Sequence, residues 1–165
     1  MNIVLTGFMG TGKSTIGRLL AEKLGLGFID TDEYIEENAG KSIQDIFASE
    51  GEEAFRAYEY ETAQDLRFAD GMVIAAGGGF NAAPFKKDEH FKIVYIKRSI
   101  DSILPKLTAA QTGRPNADGK TGTELKELFY ARVPVYEENA DITLDLTNSE
   151  TSPEDACKIL ISLLK

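Results

Sequence analysis

Residues 7–15 read Gly7-Phe8-Met9-Gly10-Thr11-Gly12-Lys13-Ser14-Thr15. It fits the phosphate-loop pattern G-x-x-x-x-G-K-[ST] at every fixed position. Phosphate oxygens need several donors at once, and glycines allow the loop to turn its backbone N–H groups inward. The helix that follows directs its positive end at the same place. The motif therefore predicts nucleotide binding at residues 7–15, with Lys13 at the β- and γ-phosphates and Ser14 as a ligand of Mg²⁺.

Strand and helix patterns alternate along the rest of the chain. Short apolar runs predict strands at 2–6, 27–30, 72–76, 92–96 and 142–145. Helical patterns occupy 13–24, 32–38, 42–49, 50–69, 123–138 and 153–164. Strands separated by helices require crossover connections, so we expect an α/β fold with a mostly parallel sheet covered on both faces. Functional groups should gather at the carboxyl ends of its strands.

The composition excludes several classes of binding partner and of site chemistry. With 18 Lys and Arg against 27 Asp and Glu, the net charge is −9 in 165 residues. A field of that sign repels polyanions, so nucleic acid is not an expected partner. The single Cys157 and single His90 cannot form an internal disulfide, a zinc site or a cysteine–histidine catalytic pair.

Length and hydropathy indicate one domain, residues 1–165. No apolar run approaches the roughly 20 residues of a membrane span, and residues 1–7 lack the features of a secretory signal. We therefore expect a cytoplasmic protein with no membrane partner. We also expect a monomer.

Asp30-Thr31-Asp32 lies at the carboxyl end of the second predicted strand and is the candidate for the carboxylates of a phosphoryl-transfer site. Residues two apart in an extended strand point the same way, so both carboxylates can face one site. Asp30 would hold water on Mg²⁺, and Asp32 would accept a proton from an acceptor hydroxyl or orient it. The alternative is that Asp32 only caps the following helix.

Two arginines are notable for their positions. Arg132 shares one helix stripe with Leu125, Leu128, Phe129 and Tyr136, which puts its guanidinium on the inward side, where it needs an anion or a carboxylate.

Arg56 lies one helical turn before Glu59. The two residues form either an ordinary surface ion pair or a clamp in which Glu59 positions Arg56 to bind a carboxylate.

The run Gly77-Gly78-Gly79 at a strand end allows a ligand to touch bare backbone, unless it is only a flexible turn. The aperiodic stretch 108–122 has the length of a lid, in which Arg114 would bring charge to the transferring phosphate.

These features together resemble shikimate kinase, a family of P-loop small-molecule kinases. The resemblance rests on their order along nearly the whole chain: the phosphate loop 7–15, Asp30-Thr31-Asp32, Ser42-Ile43-Gln44-Asp45-Ile46-Phe47, Gly51-Glu52 with Phe55-Arg56 and Glu59, Gly77-Gly78-Gly79, Arg114-Pro115, and Arg132-Val133-Pro134-Val135-Tyr136. It implies a three-layer P-loop kinase fold with a five-stranded parallel sheet of order 2-3-1-4-5 and a lid loop. It also implies transfer of the ATP γ-phosphoryl group to the 3-hydroxyl of shikimate, in aromatic amino-acid biosynthesis, with ATP and Mg²⁺ as cofactors.

By matched position, the resemblance also implies the site. The shikimate-binding region at about 32–60 would use Asp32 for the substrate hydroxyls, Arg56 with Glu59 and Arg132 for the carboxylate, Gly78 and Gly79 for the ring face, and Phe47 and Phe55 for the pocket wall. ATP would be bound by Gly10, Thr11, Gly12, Lys13, Ser14, Thr15 and Arg114, with Asp30 on the magnesium shell through water. Lys13, Asp32 and Arg114 would carry the catalysis, and residues 148–153 would border adenine.

The chain departs from the family pattern in two places. Polar residues follow Arg114-Pro115, and the nearest cation to the family's adenine-stacking arginine is Lys106, beside a Pro105 expected to interrupt a helix. Two alternatives stay open on the residues alone: a gluconate- or nucleotide-type kinase, and a nucleotide-binding regulator without catalysis.

Overall fold

A computed structural model describes residues 1–108, 119–147 and 150–165. The strands are β1 (Asn2–Thr6), β2 (Gly27–Asp30), β3 (Met72–Ala75), β4 (Phe91–Lys97) and β5 (Ile142–Asp145). The helices are α1 (Lys13–Leu24), α2 (Thr31–Ala39), α3 (Ile43–Ser49), α4 (Glu52–Leu66), α5 (Ile100–Thr108), α6 (Gly122–Asn139) and α7 (Pro153–Leu164). A 3₁₀ turn, Ala83–Phe85, precedes β4. None of the helices in these ranges is both long and apolar enough to cross a membrane.

The sheet has the order β2-β3-β1-β4-β5, with every pairing parallel. Val4 of β1 lies opposite Ile74 of β3 and Ile93 of β4, which fixes the register of the central strands. All five strands therefore end at one edge of the sheet, where the phosphate loop, Asp30 and the glycine run follow β1, β2 and β3. The fold class and strand order are confirmed.

Successive side chains of β1 supply two different cores, because neighbouring residues of a strand point to opposite faces. Ile3 and Leu5 belong to a cluster beneath α1 and α7, which includes the fully buried Cys157 and Leu160. Val4 belongs to a cluster on the other face, built with α4 and the 3₁₀ turn. A third cluster joins the phosphate loop to α5 and α6. The sheet is thus covered on both faces.

Element bounds agree with the sequence patterns to within a few residues at most ends. The predicted helix 50–69 is shorter in the structure, because Gly51 lies before its first turn with φ +90° and the helix ends at Leu66. Strand β4 is one residue longer at each end than predicted.

The prediction that Pro105 interrupts a helix is wrong. Pro105 lies inside α5, which buries Ile100, Ile103 and Leu107 against the third cluster. Proline removes one backbone hydrogen bond, but burial of three aliphatic side chains contributes more, about 1.5–3 kcal/mol each. Pro105 and Lys106 are both exposed, so the ring sits on the solvent side of the helix.

The predicted lid at 108–122 falls between α5 and α6. Thr108 ends α5, and α6 starts at Gly122 with Thr121 as its N-cap, in a capping box with Glu124. Residues 109–118, and with them Arg114, lie outside the described residues, as do residues 148 and 149 of the predicted adenine border.

Candidate functional site

The phosphate loop joins β1 to α1. Gly7, Gly10 and Gly12 all have positive φ, at 142°, 81° and 90°. A Cβ on Gly7 would lie 2.6 Å from the Ile96 carbonyl oxygen, so this position requires glycine. Gly12 is the N-cap of α1 and provides no side-chain hydrogen bond to it. The first-turn N–H groups of α1 are therefore left for an anion.

Lys13 lies beneath this loop and is 9% exposed. Its ammonium group donates to the carbonyl oxygens of Gly7 at 2.7 Å and Phe8 at 2.8 Å. Thr11 is buried and donates to the same Phe8 carbonyl at 2.8 Å, so its hydroxyl holds the loop together. The loop thus has a positive charge at its centre.

Asp30 connects the loop to the start of α2. Its Oδ2 accepts a 2.5 Å hydrogen bond from the Ser14 hydroxyl. Its Oδ1 accepts from the backbone N–H groups of Asp32 at 2.9 Å and Glu33 at 3.2 Å, as an N-cap does. The alternative that Asp32 is the cap is therefore wrong: Asp30 caps α2, and the Asp32 carboxylate is free for another role.

Asp32 sits among other acids in the cleft. Burial raises its pKa from 3.8 to about 6, with further upward contributions from Asp30 and Glu59 and a smaller downward one from Lys13. A Cβ on Gly77 would lie 2.8 Å from Asp32 Oδ1, so the glycine run passes directly against this carboxylate. A carboxylate with a raised pKa is a better proton acceptor near neutral pH than an ordinary aspartate.

Arg56 and Glu59 form a half-buried pair on α4. Arg56 Nη1 donates to Glu59 Oε1, and Nη2 lies 3.4 Å from Glu52 Oε1. The Glu59 side chain is only 6% exposed, which is too buried for an ordinary surface pair. Burial raises the pKa of Glu59, while Arg56 and Arg132 lower it. Glu59 therefore holds Arg56 in position, in agreement with the clamp interpretation.

Arg132 of α6 approaches the same place from the opposite side. Its guanidinium carbon lies 5.8 Å from the Phe8 ring centroid. A Cβ on Gly79 would lie 2.6 Å from Arg56 Nη1 and 3.0 Å from Arg132 Nη2, so both guanidinium groups converge on this glycine. The two arginines, 76 residues apart, form one cationic site.

Phe47 and Phe55 form an apolar wall, with ring centroids 5.0 Å apart. With the groups above they surround a cleft of about 550 Å³. Of the residues predicted for the site, the cleft is lined by Gly10, Gly12, Lys13, Ser14, Thr15, Asp30, Asp32, Phe47, Phe55, Arg56, Glu59, Gly78, Gly79 and Arg132. Arg114 lies outside the described residues.

Six residues of this cleft were not predicted individually as site residues: Met9, Glu33, Glu36, Ile43, Ala76 and Gly77. Met9 lies within the predicted phosphate loop and Gly77 within the glycine run, so the sequence indicated both segments. Glu36 has no sequence motif that marks it as a site residue. Its position depends on a contact across the α2–α3 turn, where its side chain accepts a 3.0 Å hydrogen bond from the Ile43 N–H.

Ser14 and Asp30 fit a magnesium ion. Hydroxyl and carboxylate oxygens are the donors that Mg²⁺ prefers, and it is bound in such sites by one or two protein groups together with substrate phosphates. In the described ranges no group of three or more His, Cys, Asp or Glu could form a cage for a metal. An ion here would therefore depend on the nucleotide for its remaining ligands.

The fold and this cleft define a P-loop kinase that acts on a small molecule. A family model described as shikimate kinase matches residues 9–164. The shikimate kinase of Thermobifida fusca is 38% identical over 159 residues, covering 95% of this chain and 91% of that protein. The chain belongs to the shikimate kinase family.

Solved structures agree. Shikimate kinase from Acinetobacter baumannii in complex with shikimate has a TM-score of 0.89 at 32% identity, covering 99% of this chain and 92% of that one. Shikimate kinase from Aquifex aeolicus has a TM-score of 0.83 at 36% identity, with 99% and 96% covered.

Proposed function

We propose that this protein is a shikimate kinase, which transfers the γ-phosphoryl group of ATP to the 3-hydroxyl of shikimate and yields shikimate 3-phosphate and ADP. One observation carries the assignment: the phosphate loop, Asp32 and the convergent pair Arg56 and Arg132 all line one cleft. The Acinetobacter baumannii relative that matches 99% of this chain was solved in complex with shikimate.

The nucleotide side of the cleft is built for polyphosphate. Backbone N–H groups from Gly10 to Thr15 would hold the phosphates, and Lys13, now on the loop carbonyls, would move to the β- and γ-phosphate oxygens. Arg114, which lies outside the described residues, would add positive charge at the transferred phosphate. Ser14 and Asp30 would hold Mg²⁺, Asp30 through water. When bound, Mg²⁺ neutralises negative charge that develops on the phosphates.

The acceptor side is built for a carboxylated ring. Arg56 and Arg132 would bind the carboxylate, since guanidinium groups match its two oxygens. Phe47 and Phe55 would contact one part of the ring, and Gly78 and Gly79 would let another part approach bare backbone. Glu59 Oε2 is buried with no hydrogen-bond partner among the described residues, so it offers an acceptor to a hydroxyl or a bridging water.

Asp32 would act as the base. The acceptor oxygen attacks the γ-phosphorus, the bond from that phosphorus to the β,γ-bridging oxygen breaks, and the hydroxyl proton passes to the Asp32 carboxylate. Lys13 would stabilise the charge on the transferred group and on the departing ADP.

The first experiment is a coupled assay of ADP release with shikimate, gluconate and nucleoside monophosphates as acceptors. We expect turnover on shikimate and a loss of at least about a hundredfold in Lys13→Ala. Turnover on gluconate or a nucleotide with none on shikimate would favour the other kinase classes. Nucleotide binding that Lys13→Ala weakens, with no turnover on any acceptor, would indicate the regulator.

Arg132→Ala tests the carboxylate clamp. We expect the KM for shikimate to rise about 30- to 100-fold and the KM for ATP about twofold at most, because the lost bonds are charge-assisted and local to one substrate. Arg67→Ala, which removes an exposed arginine outside the cleft, is the matched control. Equal rises in both KM values would refute the assignment.

A further inference from the structure

The glycine run Gly77-Gly78-Gly79 separates two cavities. One is the cleft just described, and the other is a cavity of about 210 Å³ whose lining includes Phe80, Val135 and Tyr136. Gly78, Gly79 and Arg132 line both cavities. A segment without side chains has few atoms of its own to pack, so hydrogen bonds contribute to fixing its position. One is internal to the turn: the Phe80 N–H donates to the Gly77 carbonyl oxygen at 3.0 Å.

Side chains from two distant helices supply such bonds. At the start of the run, the Gly77 N–H donates to Oγ1 of the buried Thr31 at 2.9 Å. One residue later, the Tyr136 hydroxyl donates to the Gly78 carbonyl oxygen. The first contact holds the run beside Asp32, which follows Thr31, and the second holds it beside Arg132.

Tyr136 is itself firmly placed. Tyr136 is 7% exposed, and its ring centroid lies 5.2 Å from that of Tyr95. It follows Arg132 by four residues on α6, so one helix supplies both the guanidinium and the hydroxyl. Burial raises the pKa of the Tyr136 hydroxyl, while Arg132 lowers it. The net shift is upward, so the hydroxyl stays protonated and remains a donor at neutral pH.

We propose that Tyr136 is a positioning residue for shikimate: by holding the Gly78 carbonyl, it fixes the glycine run against the two carboxylate-binding arginines. The consequence for the substrate follows from Gly79, where a Cβ would lie 2.6 Å from Arg56 Nη1 and 3.0 Å from Arg132 Nη2. The backbone there borders the space between the two guanidinium groups. A run that moves toward the second cavity changes the width and shape of the acceptor site. This inference rests on the proposed function.

Tyr136→Phe tests the proposal, because it removes the hydroxyl and keeps the ring. We expect the KM for shikimate, and its Kd measured by calorimetry without nucleotide, to rise about five- to tenfold, because the variant lacks the hydroxyl's hydrogen bonds with the Gly78 carbonyl and with Arg132. The KM for ATP and kcat should change by about twofold at most. Tyr95→Phe is the control: it removes a hydroxyl from the neighbouring ring and leaves the Tyr136–Gly78 bond intact. Its KM for shikimate should match the wild type.

Two results would overturn the proposal. One is an unchanged KM and Kd for shikimate in Tyr136→Phe. The other is an equal rise in the KM for shikimate and for ATP together with a lowered Tm, which would show a general structural role. Failure of the proposed function is distinguishable, since it would appear as absent shikimate turnover in the wild-type protein.

Discussion

At the scale of single residues, burial and hydrogen bonding separate the two acids of Asp30-Thr31-Asp32. Asp30 accepts hydrogen bonds from the Ser14 hydroxyl and from two backbone N–H groups. Burial and the nearby charges of Asp30 and Glu59 raise the pKa of Asp32 to about 6. The two neighbouring carboxylates are therefore suited to different tasks: Asp30 to the magnesium shell, and Asp32 to accepting a proton.

The raised pKa of Asp32 predicts a pH-dependent stability in the protein free of metal and nucleotide. Its folded pKa of about 6 lies above the ordinary 3.8, so the folded state binds this proton more tightly than the unfolded state. The contribution of Asp32 to the free energy of unfolding is then greatest below pH 4, falls as the pH rises from about 4 to 6, and is constant above. Asp32→Asn should remove this dependence and raise the free energy of unfolding at pH 7 by about 1–2 kcal/mol.

The same variant should lose activity. Asparagine cannot accept the proton, so kcat should fall about a hundredfold or more, while the protein becomes more stable. Urea unfolding at pH 4, 5, 6 and 7 and steady-state kinetics measure the two effects, with the exposed Asp45→Asn as control. An unchanged kcat would remove Asp32 from catalysis, and a loss of stability at pH 7 would contradict its raised pKa.

At the level of secondary-structure elements, Asp30 at the start of α2 has two roles: it caps the helix and is proposed to hold Mg²⁺. Asp30→Asn should keep the cap, because asparagine caps helices as well as aspartate, whereas Asp30→Ala should cost about 1 kcal/mol of stability. Both should raise the Mg²⁺ concentration needed for half-maximal rate, because both remove the charge beside Ser14. Magnesium titrations and urea unfolding of the two variants separate these effects.

Ser42→Ala is the control for capping alone. Ser42 caps α3 by accepting from the Asp45 N–H at 3.1 Å. The Ser42→Ala variant should lose about as much stability as Asp30→Ala, with no change in the Mg²⁺ concentration needed for half-maximal rate. An Asp30→Asn variant with wild-type magnesium dependence would exclude Asp30 from the metal shell.

The elements also show where sequence information ends. The phosphate loop was predictable because its signal lies in nine consecutive residues, and amphipathic patterns placed α1 and α7 at their observed bounds. Helix α5 was missed because Pro105 was weighed as a local breaker, while the decisive term was burial of Ile103 and Leu107 in a tertiary core. The capping role of Asp30 was not predicted, and capping by Asp32 stayed open as an alternative, because a helix start cannot be placed to one residue from pattern alone.

At the scale of the whole molecule, the sheet explains why the site residues meet. The residues that end β1, β2 and β3 lie at one edge of the sheet because these strands are parallel. The alternation of strands and helices in the sequence predicts this arrangement. The contact of Gly78 with Tyr136 spans 58 residues and depends on how α6 lies against the sheet, which no local pattern encodes. The net charge of −9 opposes anionic ligands at long range, so the placement of Arg56 and Arg132 in one cleft must supply the local attraction.

The same architecture predicts that stability and substrate recognition are separable. Leu160 of α7 is fully buried beneath α1, in a cluster whose members, among the described residues, do not line the cleft. Leu160→Ala should lower the free energy of unfolding by about 3 kcal/mol through lost burial and a cavity. A domain of ordinary stability, about 5–15 kcal/mol, stays folded after that loss at 20 °C. The KM values should then stay within about twofold of the wild type.

Ile159→Ala is the matched control on the same helix, since Ile159 is 45% exposed and should cost about 0.5 kcal/mol or less. Urea unfolding gives the stabilities, and kinetics at 20 °C give both KM values. If Leu160→Ala raised the KM for shikimate in proportion to its loss of stability, the α1–α7 core would be part of the binding machinery. An unchanged KM would instead show that the cleft is held by the contacts at the sheet edge, from Thr31 and Tyr136 to the glycine run, and not by the packing beneath α1.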